Sequence, residues 1–128
     1  MSDAIGIAST GLTLHRKWLD AVSDNLANVN TVTATTEDAF RAQYVIAQAG
    51  EGDSGAYVAG TALGNAEGRL TFEPDHPLAD AEGYVRYPEI DLAAQMGQLI
   101  MAQRGYQANA AVVDRAKVMY ESGLQIGK

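Results

Sequence analysis

Three groups of residues in this 128-residue chain are of types that chemistry uses. Gly50, Gly52 and Gly55 fall at the spacing G-x-G-x-x-G, which cradles a pyrophosphate when a helix follows it. Here no helical pattern follows, and Glu51 and Asp53 would repel the phosphate, so the stretch reads as a loop. Asp75, His76, Asp80 and Glu82 could be imagined as metal ligands or as an acid–base set. Their spacing fits no EF-hand loop, and a single histidine makes a poor zinc site. With Pro74 and Pro77 restricting the backbone, they read better as a surface turn. His15 could be paired with Ser9 or Ser23, but a helical rise would place Ser23 about 12 Å from it, and no nucleophile elbow is present. The sequence therefore calls for no catalytic residue, no cofactor and no metal, and the chain reads as a non-enzyme.

Composition narrows the classes further. The formal net charge is −7, with 9 Lys+Arg against 16 Asp+Glu, which argues against a nucleic-acid groove. Residues 30–88 hold nine of the acids and three of the bases, whereas the segment from Glu89 onward is balanced. There is no cysteine, so disulfides and thiolate metal sites are excluded. No basic stretch followed by an apolar core marks a cleavable secretory signal, and no run of about 18 apolar residues marks a membrane span. Hydrophobic residues make up 47% of the chain, but many are alanine and only 7% are aromatic, so little apolar area is available for a compact core.

The prolines Pro74, Pro77 and Pro88 lie in the middle or at its edge, and six of the thirteen glycines fall between Gly50 and Gly68. The chain therefore divides into a helical segment over 1–30, an acidic Gly/Pro-rich middle over 31–88, and a helical segment over 89–128. Short strands are predicted at Phe40 to Ala47, Ala56 to Ala59, Arg69 to Phe72 and Tyr84 to Tyr87. In the first segment Ile5, Ala8, Leu12, His15, Leu19, Val22, Leu26 and Val29 alternate by three and four, a heptad seam predicting a helix about 40 Å long. Ser2 or Asp3 can cap its start, and Thr31-Val32-Thr33 can end it. In the last segment Leu92, Met96, Leu99, Gln103, Tyr106, Ala110, Val113, Lys117, Tyr120 and Leu124 keep the same spacing. Asp91 is a suitable N-cap, Gly127 a suitable terminator, and the length about 50 Å. The fold class is mainly α: long terminal helices forming a coiled coil, with a small β- and loop-rich middle.

His15, Gln103 and Lys117 at seam positions read as polar register elements. Ile7, Leu14, Trp18, Ala93, Ile100, Val112 and Met119 lie off the seams. Apolar surface thus extends around each helix, which favours packing between molecules over a single hairpin. Gly6, Gly11, Gly97, Gly105 and Gly123 inside the helices suggest close backbone approach and helices that order on assembly.

Three stretches carry a resemblance. Ser23-Asp24-Asn25-Leu26-Ala27-Asn28-Val29-Asn30-Thr31 resembles the motif Ser-x-Asn-Leu-Ala-Asn-x-x-Thr shared by the flagellar rod and hook family of axial proteins. Glu73-Pro74-Asp75-His76-Pro77-Leu78-Ala79-Asp80-Ala81-Glu82-Gly83-Tyr84-Val85, then Tyr87-Pro88 and Asp91, resembles the rod proteins of the proximal type. Arg104, Tyr106, Ala108, Asn109, Lys117, Leu124, Ile126 and Gly127 complete the match, and residues 31–68 match least.

The resemblance implies a structural subunit of the flagellar basal-body rod. Such a subunit is exported unfolded through the flagellar type III apparatus and joins a helical tube in the periplasm. Its partners would be itself, other rod proteins, the base ring and the export gate. The interface would draw on Ile5, Leu12, Leu19, Val22, Asn25, Leu26 and Asn28, on Tyr84 and Tyr87 of the turn, and on Leu92, Met96, Leu99, Tyr106, Asn109, Val113, Tyr120 and Leu124. Another rod or hook subunit, or a secreted helical adaptor, is the alternative.

Overall fold

The structure, a computed structural model, describes residues 2–52 and 54–127, with the side chains of Ser2 and Asp3 outside the description. The expected cap at Ser2 or Asp3, and Asp53 of the glycine-rich loop, therefore lie outside the described side chains. Two long helices, α1 (Ser2–Ala27) and α2 (Leu92–Ile126), flank four strands: β1 (Gln43–Ala49), β2 (Ala56–Leu63), β3 (Arg69–Phe72) and β4 (Tyr84–Tyr87). Mainly helical ends with a small β middle match the sequence reading.

Helix α1 stops at Ala27, two residues short of the predicted end. Its last turn is closed by Asn28, whose N–H donates to Asp24 O (3.2 Å) and Asn25 O (3.2 Å). Helix α2 begins where Asp91 Oδ1 accepts from Ala93 N (3.0 Å) and Ala94 N (3.4 Å), satisfying donors a helix start leaves open. It ends at Gly127, which is in the right-handed rather than the left-handed region (φ −74°) and donates to Gly123 O (3.0 Å).

The helices pack against each other within the chain, running antiparallel. Gly11 lies opposite Asn109, His15 opposite Gly105, and Asn25 opposite Gln95, each pair of numbers adding to 120. One constant register over this span means two helices of equal rise along the pair. The sequence reading favoured packing between molecules instead. Pairing within the chain is possible because α2 turns small residues toward α1: Gln95, Ala102 and Ala116 are its buried positions. Small residues on one helix leave room for side chains of the other, as at Gly105 and Gly11, which His15 and Asn109 fill.

The middle is two antiparallel hairpins. β1 pairs with β2, with a register shift between Ile46 and Ala47, and β3 pairs with β4. The predicted first strand starts three residues later than expected, and the second runs four residues further, to Leu63. The predicted limits of the third and fourth match. Gly50, Gly52 and Gly55 form the β1–β2 turn, closed by Gly50 N to Gly55 O (2.6 Å), and a strand follows rather than a helix. Gly52 (φ +59°) and Gly55 (φ +89°) occupy backbone that other residues rarely adopt. Thr10 Oγ1 accepts from Ala56 N (3.1 Å), which ties this hairpin to α1.

The core is thin. Apart from Val22 and Val85, its buried apolar residues are alanines: Ala8, Ala21, Ala39, Ala42, Ala102 and Ala116. The largest fully buried side chains are Val85, Asn25 and Pro88. Each alanine removes little apolar area from water, so burial within one chain stabilises it modestly. Among the described residues no helix is long and apolar enough to cross a membrane.

Candidate assembly interface

Val22 is buried, and Ile5, Leu12, Leu19 and Leu26 are half-buried, on the side facing the rest of the chain. Two polar residues set the spacing of the helix pair. His15 Nδ1 donates to Gly11 O (2.7 Å), one turn back on its own helix, and its ring lies where a side chain at Gly105 would project. Asn109 Nδ2 donates to Gly105 O (2.8 Å), also one turn back, and its amide lies where a side chain at Gly11 would project. Each helix thus offers a glycine to the other's polar side chain. The predicted close approach holds at Gly11 and Gly105. It does not hold within the chain at Gly6, Gly97 or Gly123, where an added Cβ would meet open space.

The Ser-x-Asn-Leu-Ala-Asn-x-x-Thr stretch gains a physical account. Asn25 is 1% exposed. Its Nδ2 donates to Gln43 O (2.9 Å) and Gln95 Oε1 (3.1 Å), and its Oδ1 accepts from Gln43 N (2.7 Å). One amide therefore joins α1, β1 and α2. Asn28 works locally: Nδ2 donates to Asp24 O (2.8 Å), and Oδ1 accepts from Thr31 Oγ1 (3.0 Å). It closes the helix end and starts the turn.

The acidic turn is built around Asp80. Its Oδ1 accepts from Glu82 N (3.0 Å) and Tyr84 N (2.9 Å), and its Oδ2 accepts from Thr35 Oγ1 (2.9 Å). The Tyr84 N–H bond, with the other donors, holds the Asp80 carboxyl below its usual range, against a smaller opposing effect of desolvation. His76 Nδ1 accepts from Leu78 N (3.0 Å). Both polar groups are thus engaged in shaping the turn. The turn closes at Gly83 (φ +90°), and Tyr84 packs edge-on against Phe72 with ring centroids 5.3 Å apart. Tyr84 stays exposed. Tyr87 is half-buried and donates its hydroxyl to Glu73 Oε1 (2.8 Å), which raises the phenol above its ordinary range.

On α2 the predicted seam and the observed one diverge. Leu99, Asn109 and Val113 are half-buried, but Leu92, Met96, Tyr106, Tyr120 and Leu124 are exposed. Gln103 and Lys117, read as register elements, also face solvent. The residues that meet α1, among them Gln95, Gln98, Ala102, Gly105, Asn109 and Ala116, are small or polar, and a hydrophobicity-led reading passes over them. The signal that could have found them is their own three-and-four spacing. Large apolar side chains therefore stand free: Met96, Ile100, Met101, Val112, Val118, Met119, Tyr120 and Leu124, with Ile126 at 86% exposure. Past Ala116, no α2 residue is even half-buried among the described residues.

Large apolar side chains left exposed along a helix mark a surface for further packing. Comparison with known proteins says in what kind of assembly. The pattern described as "Flagella basal body rod protein" matches residues 5–35, and that described as "Flagellar basal body rod FlgEFG protein C-terminal" matches residues 81–126. The flagellar basal-body rod protein FlgC of Salmonella typhimurium is 36% identical over 126 residues, covering 95% of this chain and 94% of its own. This chain belongs to the FlgC family of flagellar basal-body rod proteins. FlgC of Borreliella burgdorferi is 32% identical over 145 residues (96% of this chain, 95% of its own), and FlgC of Bacillus subtilis is 28% identical over 145 (98% and 97%). The two family patterns fall on α1 with its closing turn and on the segment from the acidic turn through α2. As a FlgC-family member the chain is a structural subunit of the rod.

Proposed function

We propose that this chain polymerises through its terminal helices into a helical tubular shaft, in which α1 and α2 are packed on all sides as a coiled coil. The exposed apolar surface of α2 carries the reading. Side chains such as Ile100, Met101, Val118 and Met119 are about half exposed, so each would gain roughly 1–2 kcal/mol on full burial. The acidic middle faces outward, and Tyr84 is a contact of the turn. Partners are further copies of the chain, other rod proteins, the base ring and the export gate. Passage through the type III apparatus and placement in the periplasmic rod belong to the same reading, which involves no catalysis and no cofactor. The three units 1–30, 31–88 and 89–128 divide the work into pairing helix, outer middle and packed helix.

The test is Ile100→Asp. Ile100 is on the exposed side of α2, so the isolated chain should keep its helix content while a carboxylate enters the packed shaft. The expected result is non-motile cells that still export the chain. Normal rods containing the variant would reject the reading.

A further inference from the structure

Between β1 and the two helices lies a hollow of about 240 Å³, with Trp18, Val22 and Val45 among its walls and Gln43, Gln95 and Gln98 supplying its side-chain amides. No Lys, Arg, Asp or Glu lines it. Gln95 is only 5% exposed, so its amide is held in place rather than trailing in water.

The direction in which two of these amides point follows from their partners. A backbone N–H only donates and a backbone C=O only accepts. The Gln43 backbone therefore fixes Asn25, with Oδ1 toward the N–H (2.7 Å) and Nδ2 toward the C=O (2.9 Å). Asn25 Nδ2 in turn donates to Gln95 Oε1 (3.1 Å). That leaves the Gln95 NH2 group without an acceptor among the described residues. The fully buried side-chain atoms that lack a partner there are Thr33 Oγ1 and Arg86 Nε, so Gln95 Nε2 is not sealed in but opens on the hollow. One turn further along α2, Trp18 fixes Gln98 in the same sense. An indole N–H only donates, so Gln98 Oε1 takes it (3.0 Å) and the Gln98 NH2 group stays free.

Both amide oxygens are thus spent inside the protein, and both NH2 groups remain beside an apolar wall, three residues apart on one side of the helix. A carbonyl oxygen has two lone pairs and can take both donors. A carboxylate would bring a charge that no Lys or Arg of the lining offsets, and an ammonium would bring donors to donors. A peptide strand along β1 fits less well, because Asn25 already occupies the backbone N–H and C=O of Gln43.

We propose that this hollow binds a small neutral N-acyl compound, its carbonyl accepting from Gln95 Nε2 and Gln98 Nε2 and its apolar body lying against Trp18, Val22 and Val45. The Gln43 side-chain amide, which makes no other bond among the described residues, takes the N–H of the ligand. The site is built wholly within one chain and stands whether or not the chain assembles.

Trp18 is the one tryptophan of the chain, so its fluorescence reports the hollow directly. The probe is N-cyclohexylacetamide, added to the purified full chain. Cyclohexylammonium offers the same ring with donors only. A saturable change in Trp18 emission is expected with the amide, at an affinity about tenfold or more above that for the ammonium, since the ammonium leaves the protein donors unpaired. Gln98→Glu keeps an acceptor for Trp18 and replaces the free donor by a second acceptor, at an exposed position that tolerates the charge. Its preference should invert, with the amide weakened about tenfold and the ammonium strengthened. Gln95→Glu keeps the oxygen that Asn25 needs and should invert the preference likewise. Gln103→Glu, which adds the same charge at an exposed position outside the hollow, should behave as wild type. No saturable response of the wild-type chain to the amide, equal affinity for amide and ammonium, an unchanged preference in Gln98→Glu, or the same inversion in Gln103→Glu would overturn the site.

Discussion

His15 of α1 sits over Gly105 of α2 while its Nδ1 holds Gly11 O at 2.7 Å, so the ring that fills one helix's gap is fixed to the backbone of the other. With Asn109 returning the favour at Gly11, the pair of helices is locked at one register and one separation. The lock depends on two missing side chains. Gly11→Ala and Gly105→Ala should each destabilise the chain by roughly 1–3 kcal/mol, since the new methyl group overlaps the opposing Asn109 or His15 and overpacking outweighs the helix-propensity gain. Gly6→Ala and Gly97→Ala, facing open space, should stabilise by about 0.5–1 kcal/mol. Urea unfolding of the four variants checks the sign. Four shifts of the same sign would mean the glycines act only through helix propensity.

Asn25 is the one buried amide that joins both helices to the first hairpin. Asn25→Ala strands the Gln43 N–H and C=O, and each buried unpaired group costs about 1–3 kcal/mol. A loss of roughly 2–4 kcal/mol is expected, together with faster hydrogen exchange at Gln43. Asn28→Ala removes only contacts at the helix end, and about 1 kcal/mol is expected from the lost cap. Equal losses for the two would show that the Asn25 node is not buried.

These two sites also show what was legible. The α1 seam, the Asp91 cap and the β3–β4 hairpin could be read from residue type and spacing because each rests on local preferences. The α2 face could not. Leu92, Leu99, Tyr106, Val113 and Tyr120 recur every seven residues, but so do Gln95, Ala102, Asn109 and Ala116, and it is this second line that meets α1. On the line of larger residues Leu99 and Val113 are half-buried, whereas Leu92, Tyr106 and Tyr120 are exposed. The pairing face of Ala102, Gly105, Asn109 and Ala116 is chosen by how near two backbones can come, a property of the partner as much as of the residue. The polar node at Asn25 was legible only as part of a resemblance. Its hydrogen bonds run to Gln43 and Gln95, which no local pattern connects to it.

The Asp80 turn should be acid-sensitive. Its carboxyl is held below the ordinary range by bonds from Tyr84, Thr35 and Glu82. A depressed folded value means the stabilisation is complete above the unfolded value, near 3.8, and is lost as pH falls through the lower folded value. Asp80→Asn removes the charge and keeps an acceptor, so the variant should show a smaller drop in stability between pH 5 and pH 2 than wild type. An unchanged drop would place the acid response elsewhere.

In the same turn, His76 and Tyr84 separate shape from contact. The His76 ring accepts one local N–H, from Leu78, whereas Tyr84 presents a half-open ring braced by Phe72. His76→Ala should leave motility nearly intact, and Tyr84→Ala should reduce it with export unchanged. A dead His76→Ala beside a healthy Tyr84→Ala would reverse these roles and return chemistry to the turn.

On the proposed assembly the outward apolar side of α2 becomes interior. Because the native chain has no thiol, Ile100→Cys and Val118→Cys each place a single reporter on that side, at positions 48% and 62% exposed in the isolated chain. Labelling by a water-soluble maleimide should be fast in the purified chain and slowed at least a hundredfold at both positions in isolated basal bodies that contain the variant. Equal labelling rates in chain and rod would contradict the account.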